Sequence, residues 1–280
     1  MKKFSLKTND HYQIQITTFL PKNTNNKTVL INSATGVRQN YYYKFASFLQ
    51  SKGYTVYTYD YRGIAESRPE KLKGFKATAT QWGENDAESM IYYVKNQNPE
   101  HKVILMGHSI GGQLIGMMPS NHIADRIITV ASQTGYCNFW KGFNLLYMLT
   151  IWYLVFPITI PVWGYFPGKL FGVMEDLPKG MANEWSKWCR SKNYFFDFKP
   201  DLQENFNQVT KKIVALSCSD DLYAPKEAVD WLFERYENAS VERIHLKPED
   251  LNVKKIGHFG FFKSEFENTV WKMLEEKMQF

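Results

Sequence analysis

The sequence predicts an α/β protein built on a mostly parallel sheet with helices on both faces. Three observations carry that reading. Short uncharged runs such as Val29-Leu30-Ile31, Val103-Ile104-Leu105-Met106 and Ile127-Ile128-Thr129-Val130-Ala131 read as buried strands. Between them, Tyr42, Phe45, Ala46 and Leu49, and again Ala87, Met90, Ile91 and Val94, repeat at helical spacing. The two patterns alternate along the chain, which implies βαβ crossovers. A chain of 280 residues with 44% hydrophobic and 16% aromatic content can bury one large core.

Each element follows in order. Phe4 and Leu6, then Tyr12, Ile14 and Ile16, alternate with polar residues around Thr8-Asn9-Asp10-His11, which reads as a hairpin with one solvated face. A polar loop from Pro21 to Lys27 leads to the strand Val29–Ile31 and then to Asn32-Ser33-Ala34-Thr35-Gly36-Val37, rich in small residues. The helix through Leu49 stops at Gly53, and Tyr54–Tyr59 is the next strand. After the strand Val103–Met106 comes Gly107-His108-Ser109-Ile110-Gly111-Gly112, a G-x-S-x-G passing into a helix. Ile127–Ala131 is a sixth strand. The alternation then lapses until Lys212–Ser217; a helix introduced by Pro225 at its first position, the strand Val241–Leu246 and a helix striped by Phe266, Val270, Met273 and Leu274 close the chain.

The lapse divides the chain into a core, 1–135 and 206–280, and an insertion, 136–205. From Gly142 to Gly168 the insertion has 27 residues without a charge, including Trp152, Trp163 and six Phe or Tyr. Pro157 and Pro161 are expected to leave only Phe143–Phe156 unbroken, too short to span a bilayer. The stretch therefore reads first as an apolar cap over a site, second as a lid lying on a lipid surface, and only third as a transmembrane helix.

Composition excludes several function classes. The net charge of +6 is mild and scattered, with no basic run interleaved with aromatics, so nucleic-acid binding is not expected. Cys137, Cys189 and Cys218 have unrelated spacings, which suggests neither a disulfide framework nor a zinc site. The N-terminal residues lack the apolar run of a signal peptide, and the expected location is cytoplasmic. The exposed part of the aromatic insertion could pair two copies, so the oligomeric state stays open.

The chemistry centres on Ser109. A serine used as nucleophile must stand clear of the backbone on a tight turn, so Gly107 and Gly111 are needed where a Cβ would collide. Such a serine requires a base, an acid that orients the base, and donors for an oxyanion, in the chain order serine, acid, histidine. His258, flanked by glycines after the last strand, is the expected base; His11, His101, His108, His122 and His245 are less well placed. Asp220 and Asp221 both follow the strand ending at Ser217. Asp221 is preferred as the acid, with Asp220 capping the loop. The oxyanion donors are expected to be the backbone N–H groups of Ile110 and Thr35, with Ala34 as the alternative to Thr35.

These residues resemble the α/β-hydrolase superfamily over essentially the whole chain outside the insertion. The elbow Gly107–Gly112, the D-x-R-G turn Asp60-Tyr61-Arg62-Gly63 and the loop Gly257-His258 carry the resemblance. The spacing through Tyr42, Phe45 and Ala46 is similar to the group of monoacylglycerol lipases, bacterial esterases and serine aminopeptidase-like proteins. Gly164-Tyr165-Phe166-Pro167-Gly168, Trp185-Ser186-Lys187-Trp188-Cys189-Arg190 and Gly257–Phe262 resemble a smaller bacterial branch of predicted hydrolases, which implies no substrate. The fold implied is the α/β-hydrolase fold with a helical cap inserted after the sixth strand. Two departures stand out: Ser33-Ala34 where the family carries His-Gly, and Ala65 where D-x-R-G-x-G-x-S has its last Gly.

The expectation is a serine hydrolase acting through an acyl-enzyme on a small-molecule ester with an apolar acyl group, a chemistry that needs no metal or organic cofactor. The alternatives are an acyltransferase, a peptidase or amidase whose cap uses Glu175, Asp176 or Glu184 to grip an amine, and a non-catalytic ligand-binding protein of the same fold.

Overall fold

The computed structural model describes residues 1–280. Its sheet has eight strands: β1 (Lys2–Lys7), β2 (Gln13–Phe19), β3 (Lys27–Asn32), β4 (Thr55–Tyr59), β5 (Lys102–His108) and β6 (Arg126–Val130), then, beyond the insertion, Ile213–Cys218 and Val241–Leu246. Two further strands, β7 (Tyr165–Phe166) and β8 (Leu177–Pro178), form an antiparallel ribbon inside the insertion, so the last two sheet strands are β9 and β10. The spatial order is β1-β2-β4-β3-β5-β6-β9-β10. β2 runs antiparallel to both β1 and β4, and all other pairs are parallel. β5 lies between β3 and β6, and all of it beyond Lys102 is buried, as its uncharged run requires.

Alternation along β4 separates the two helical layers. Val56 shares a face with its partner Phe19, whose ring meets Tyr43 of the helix Tyr43–Ser51. On that face Phe45 packs edge-on against Trp271 of the C-terminal helical segment, ring centres 5.4 Å apart. Tyr57 points to the other face and meets Tyr93 of the helix Glu88–Gln97. The D-x-R-G turn is a buried ion cluster: Arg62 donates to Asp86 from Nε at 2.8 Å and to Asp10 from Nη2 at 2.7 Å. Burial raises Asp86 to about 6 despite that partner. Ala65, where a glycine is usual, still takes a left-handed backbone, φ 42°. The turn has therefore kept its tight form at the cost of local strain.

The insertion departs from expectation at its prolines. Gly142–Trp163 is a single helix of 22 residues, and neither Pro157 nor Pro161 ends it. A π-helical segment at Ile151–Val155, in which the Phe156 N–H reaches back to the Ile151 carbonyl, resets the bonding ahead of Pro157. Pro157 then occupies the first turn of the segment Phe156–Trp163, where its missing N–H is tolerated, and the helix ends at Gly164 in a left-handed conformation. The rest of the insertion includes the β7–β8 ribbon and the helix Lys179–Cys189. Pro225 stands just before the helix Lys226–Phe233 rather than at its first position.

Candidate active site

Ser109 sits between β5 and the helix Ile110–Ile115 with φ 53° and ψ −122°, a conformation a serine adopts only under constraint. The glycines around it make the turn feasible. A Cβ on Gly107 would lie 2.3 Å from the Gly112 Cα, and one on Gly111 would lie 2.2 Å from the Asn32 carbonyl oxygen. The Ser109 N–H donates to the Val130 carbonyl at 2.9 Å, which ties the turn to β6.

His258 occupies a short helical turn, Gly257–Gly260, introduced by Gly257 at φ 61°. Its Nδ1 lies 2.8 Å from Asp221 Oδ2. The other oxygen of Asp221 accepts the N–H groups of Tyr223 at 2.8 Å and Ala224 at 3.0 Å, so one carboxylate both orients the ring and caps its own loop. Asp220 does not cap that loop. It accepts the N–H groups of Ile256 at 2.8 Å and Gly257 at 3.1 Å, clamping the histidine loop from the other side. Burial acts against its ionisation, but the Gly257 N–H, the Cys218 thiol and the Ile256 N–H together outweigh it and hold Asp220 below the usual carboxylate value.

Ser109 and His258 open onto one cavity of about 310 Å³. No hydrogen bond joins the Ser109 hydroxyl to His258 Nε2; in enzymes such contacts commonly tighten only with substrate bound. Ile110 begins the helix after Ser109, so its N–H has no preceding turn to bond to. Thr35 also lines the cavity, and its N–H makes no hydrogen bond within the protein. The Ala34 N–H is already committed, donating to the Tyr42 hydroxyl at 2.9 Å. Of the two donors considered in that loop, Thr35 is the one left free for a ligand.

Sequence reasoning gave Tyr42 only a place in a helical stripe and set His108 aside. In the fold, the Tyr42 hydroxyl lies 2.9 Å from His108 Nδ1, and His108 Nε2 lies 2.9 Å from the His258 carbonyl oxygen. Burial and the nearby His258 hold His108 well below the ordinary imidazole value, so the ring is neutral. A carbonyl can only accept, so the ring proton sits on Nε2 and the Tyr42 hydroxyl donates to Nδ1. One chain of hydrogen bonds thus joins the Ala34 loop, the elbow and the histidine loop.

Sixteen of the 21 residues lining the cavity are hydrophobic, which suits an apolar ligand moiety. Its outer wall is aromatic: Trp152 packs edge-on against Phe156 and Trp185 with ring centres 5.0 and 4.8 Å away. The acidic residues considered as amine grips face elsewhere. Glu175 pairs with Arg38 at 2.6 Å, Asp176 with Arg68 at 2.9 Å, and Glu184 accepts the N–H and hydroxyl of Thr80 at 2.8 Å. None of the three lines the cavity.

A family model described as the alpha/beta hydrolase fold matches residues 28–149, from β3 through the elbow and into the insertion. Solved structures match over nearly the whole chain. An esterase of Pyrococcus furiosus is 14% identical with a TM-score of 0.64, covering 98% of this chain and 89% of its own. The chain has the α/β-hydrolase fold. Other structures of this fold include a monoacylglycerol lipase of Paleococcus ferrophilus, 15% identical with a TM-score of 0.60 over 94% of this chain and 97% of its own. An alpha-beta serine hydrolase homologue from Coxiella burnetii is 12% identical with a TM-score of 0.59, covering 99% and 97%. No curated protein matches this α/β-hydrolase-fold chain in sequence.

Proposed function

We propose that the protein is a serine hydrolase that cleaves carboxylic esters with an apolar acyl part through an acyl-enzyme. The observation that carries this reading is that Ser109, on its constrained turn, and His258, held through Nδ1 by Asp221, open onto the same apolar cavity. Esterases and a lipase among the solved structures of this fold agree with it.

In this reading His258 Nε2 takes the Ser109 proton as Oγ attacks the ester carbonyl, and Asp221 stabilises the imidazolium through Nδ1. The Ile110 and Thr35 N–H groups hold the oxyanion of the tetrahedral intermediate. As that intermediate collapses, His258 passes its proton to the departing alkoxide, leaving the acyl group on Ser109. A water then attacks with His258 again as base, releasing the acid and restoring the serine. The cavity wall of Trp152, Phe156 and Phe166 receives the acyl chain.

Labelling with a fluorophosphonate probe tests the activated serine without assuming a substrate. Labelling that is lost in Ser109→Ala and His258→Ala supports the reading; a folded wild type that does not label counts against it. A series of p-nitrophenyl esters tests the acyl preference, and a protein that favours acetate with no gain for longer chains lacks the proposed specificity.

A further inference from the structure

The helix Gly142–Trp163 is apolar on both faces. Met148, Trp152, Phe156 and Ile160 point inward and are buried. Outward stand Phe143, 91% exposed, and Leu146, Leu154, Ile158 and Val162, each exposed by more than half. Only 28% of its most apolar stretch is buried, although the mean hydropathy there is 1.9. A helix packed on one side ordinarily shows polar residues on the other, and a contiguous apolar patch of this kind marks an interaction surface.

Basic residues rim the patch. Lys141 is exposed at the start of the helix, Lys73 is exposed with its stem against Gly164 at the end, and the Arg190 guanidinium stands 5.4 Å from the ring of Tyr153 along the flank. We propose that this face docks on an anionic lipid surface, with the helix lying in the interface and the cavity mouth turned toward it.

Two observations favour lying on a bilayer over crossing it. The inner half of the helix is packed into the fold, Trp152 against Trp185 at 4.8 Å, so spanning would require tearing the insertion apart. Pro161, inside the helix, also withholds an N–H donor, and the outward carbonyl it leaves is better served by water or headgroups than by the hydrocarbon interior. A third observation favours lipid over a second copy of the chain. Tyr147, Phe171 and Val173 are exposed and also line the cavity, so they form its mouth. A second copy seated there would seal the cavity, whereas a lipid surface would deliver apolar molecules to it.

The inference goes beyond the hydrolase reading and does not depend on Ser109 chemistry. Flotation of the whole protein with vesicles of phosphatidylcholine, alone or mixed with phosphatidylglycerol, tests it. The expected result is flotation with the mixed vesicles, weaker with phosphatidylcholine alone and weaker in high salt, and unchanged in Ser109→Ala whether or not the protein has esterase activity. A Phe143→Ser, Leu154→Ser, Val162→Ser variant, altered only at exposed positions and checked for native circular dichroism, should lose at least about tenfold in bound fraction. Lys73→Glu with Lys141→Glu should lose the preference for anionic lipid. A wild type that stays in solution with both vesicle types overturns the proposal. So does undiminished flotation of the triple variant, or a dimer in solution that the triple variant dissolves.

Discussion

The Tyr42 hydroxyl lies 2.9 Å from His108 Nδ1, and this contact joins three loops that the chain order keeps far apart. On one side Tyr42 accepts the Ala34 N–H; on the other, His108 donates to the carbonyl of His258. The backbone that would hold an oxyanion and the backbone that carries the base are thereby fixed relative to the elbow.

Tyr42→Phe removes both the acceptor for Ala34 and the donor to His108 while keeping the ring. Leaving two buried polar groups unpartnered should cost about 1–3 kcal/mol, read as a lower urea midpoint with an unchanged slope. If the loops are positioned through this contact, the rate of fluorophosphonate labelling falls as well. An unchanged rate would make the contact purely structural.

The two adjacent aspartates should behave differently. Asp221 bonds the His258 ring, so Asp221→Asn should slow labelling by roughly 10³–10⁴-fold, as expected when a base loses its orienting carboxylate. Asp220 bonds the backbone of the histidine loop and not its ring, so Asp220→Asn should have the smaller effect on labelling. Comparable losses in the two variants would contradict this division of roles.

Gly107→Ala should be among the most damaging single methyl additions in the chain. Its Cβ would stand 2.3 Å from the Gly112 Cα, a backbone atom of the elbow that cannot swing aside. A loss of more than about 3 kcal/mol, or failure to fold, is expected in thermal or urea unfolding. Gly74→Ala is the contrasting control: nothing lies within 4 Å of the added methyl, so its cost comes only from the left-handed backbone, φ 85°.

Acid should weaken the fold partly through Asp10. The Arg62 guanidinium hydrogen-bonded to Asp10 depresses its folded value to about 2, against an ordinary value of 3.8. Because the folded value is the lower one, the contribution is fully present above the unfolded value and disappears as pH falls from about 4 to about 2. Asp10 is partly exposed, so solvent screening limits the effect to about 1–2 kcal/mol. Stability measured against pH for wild type and Asp10→Asn should converge at the acid end. Curves that stay parallel would show that the pair does not couple folding to protons.

The sheet was legible because its central strands are buried on both faces and therefore carry uncharged runs, as Val103–Met106 does. Ser109 and His258 were legible because the elbow needs glycines at fixed offsets and the site needs a fixed chain order. The choice between Asp220 and Asp221 could be made only weakly from sequence, since neighbouring carboxylates differ in direction and the direction depends on where the histidine loop arrives. Tyr42 and His108 escaped notice for the same reason. Their bond spans 66 positions, and no local pattern distinguishes a core tyrosine from one that donates to a buried ring. At Pro157 the local rule gave way to packing. A π turn and a buried inner face of Trp152, Phe156 and Ile160 carry the helix past a residue that usually stops one.

The Glu175 N–H donates to the Gly36 carbonyl at 2.9 Å, and Arg38 reaches the Glu175 carboxylate. The middle of the insertion, just before β8, is therefore fastened to the same short loop that carries Thr35. This limits how freely the protein can be rebuilt: a chimera that replaces the insertion with one from another protein of this fold would inherit a Thr35 loop missing its fastening. Recombination that keeps Met174-Glu175-Asp176 with the host should preserve the fold around Thr35 better than a swap at the insertion's outer boundaries, so the workable seam for engineering lies inside the insertion.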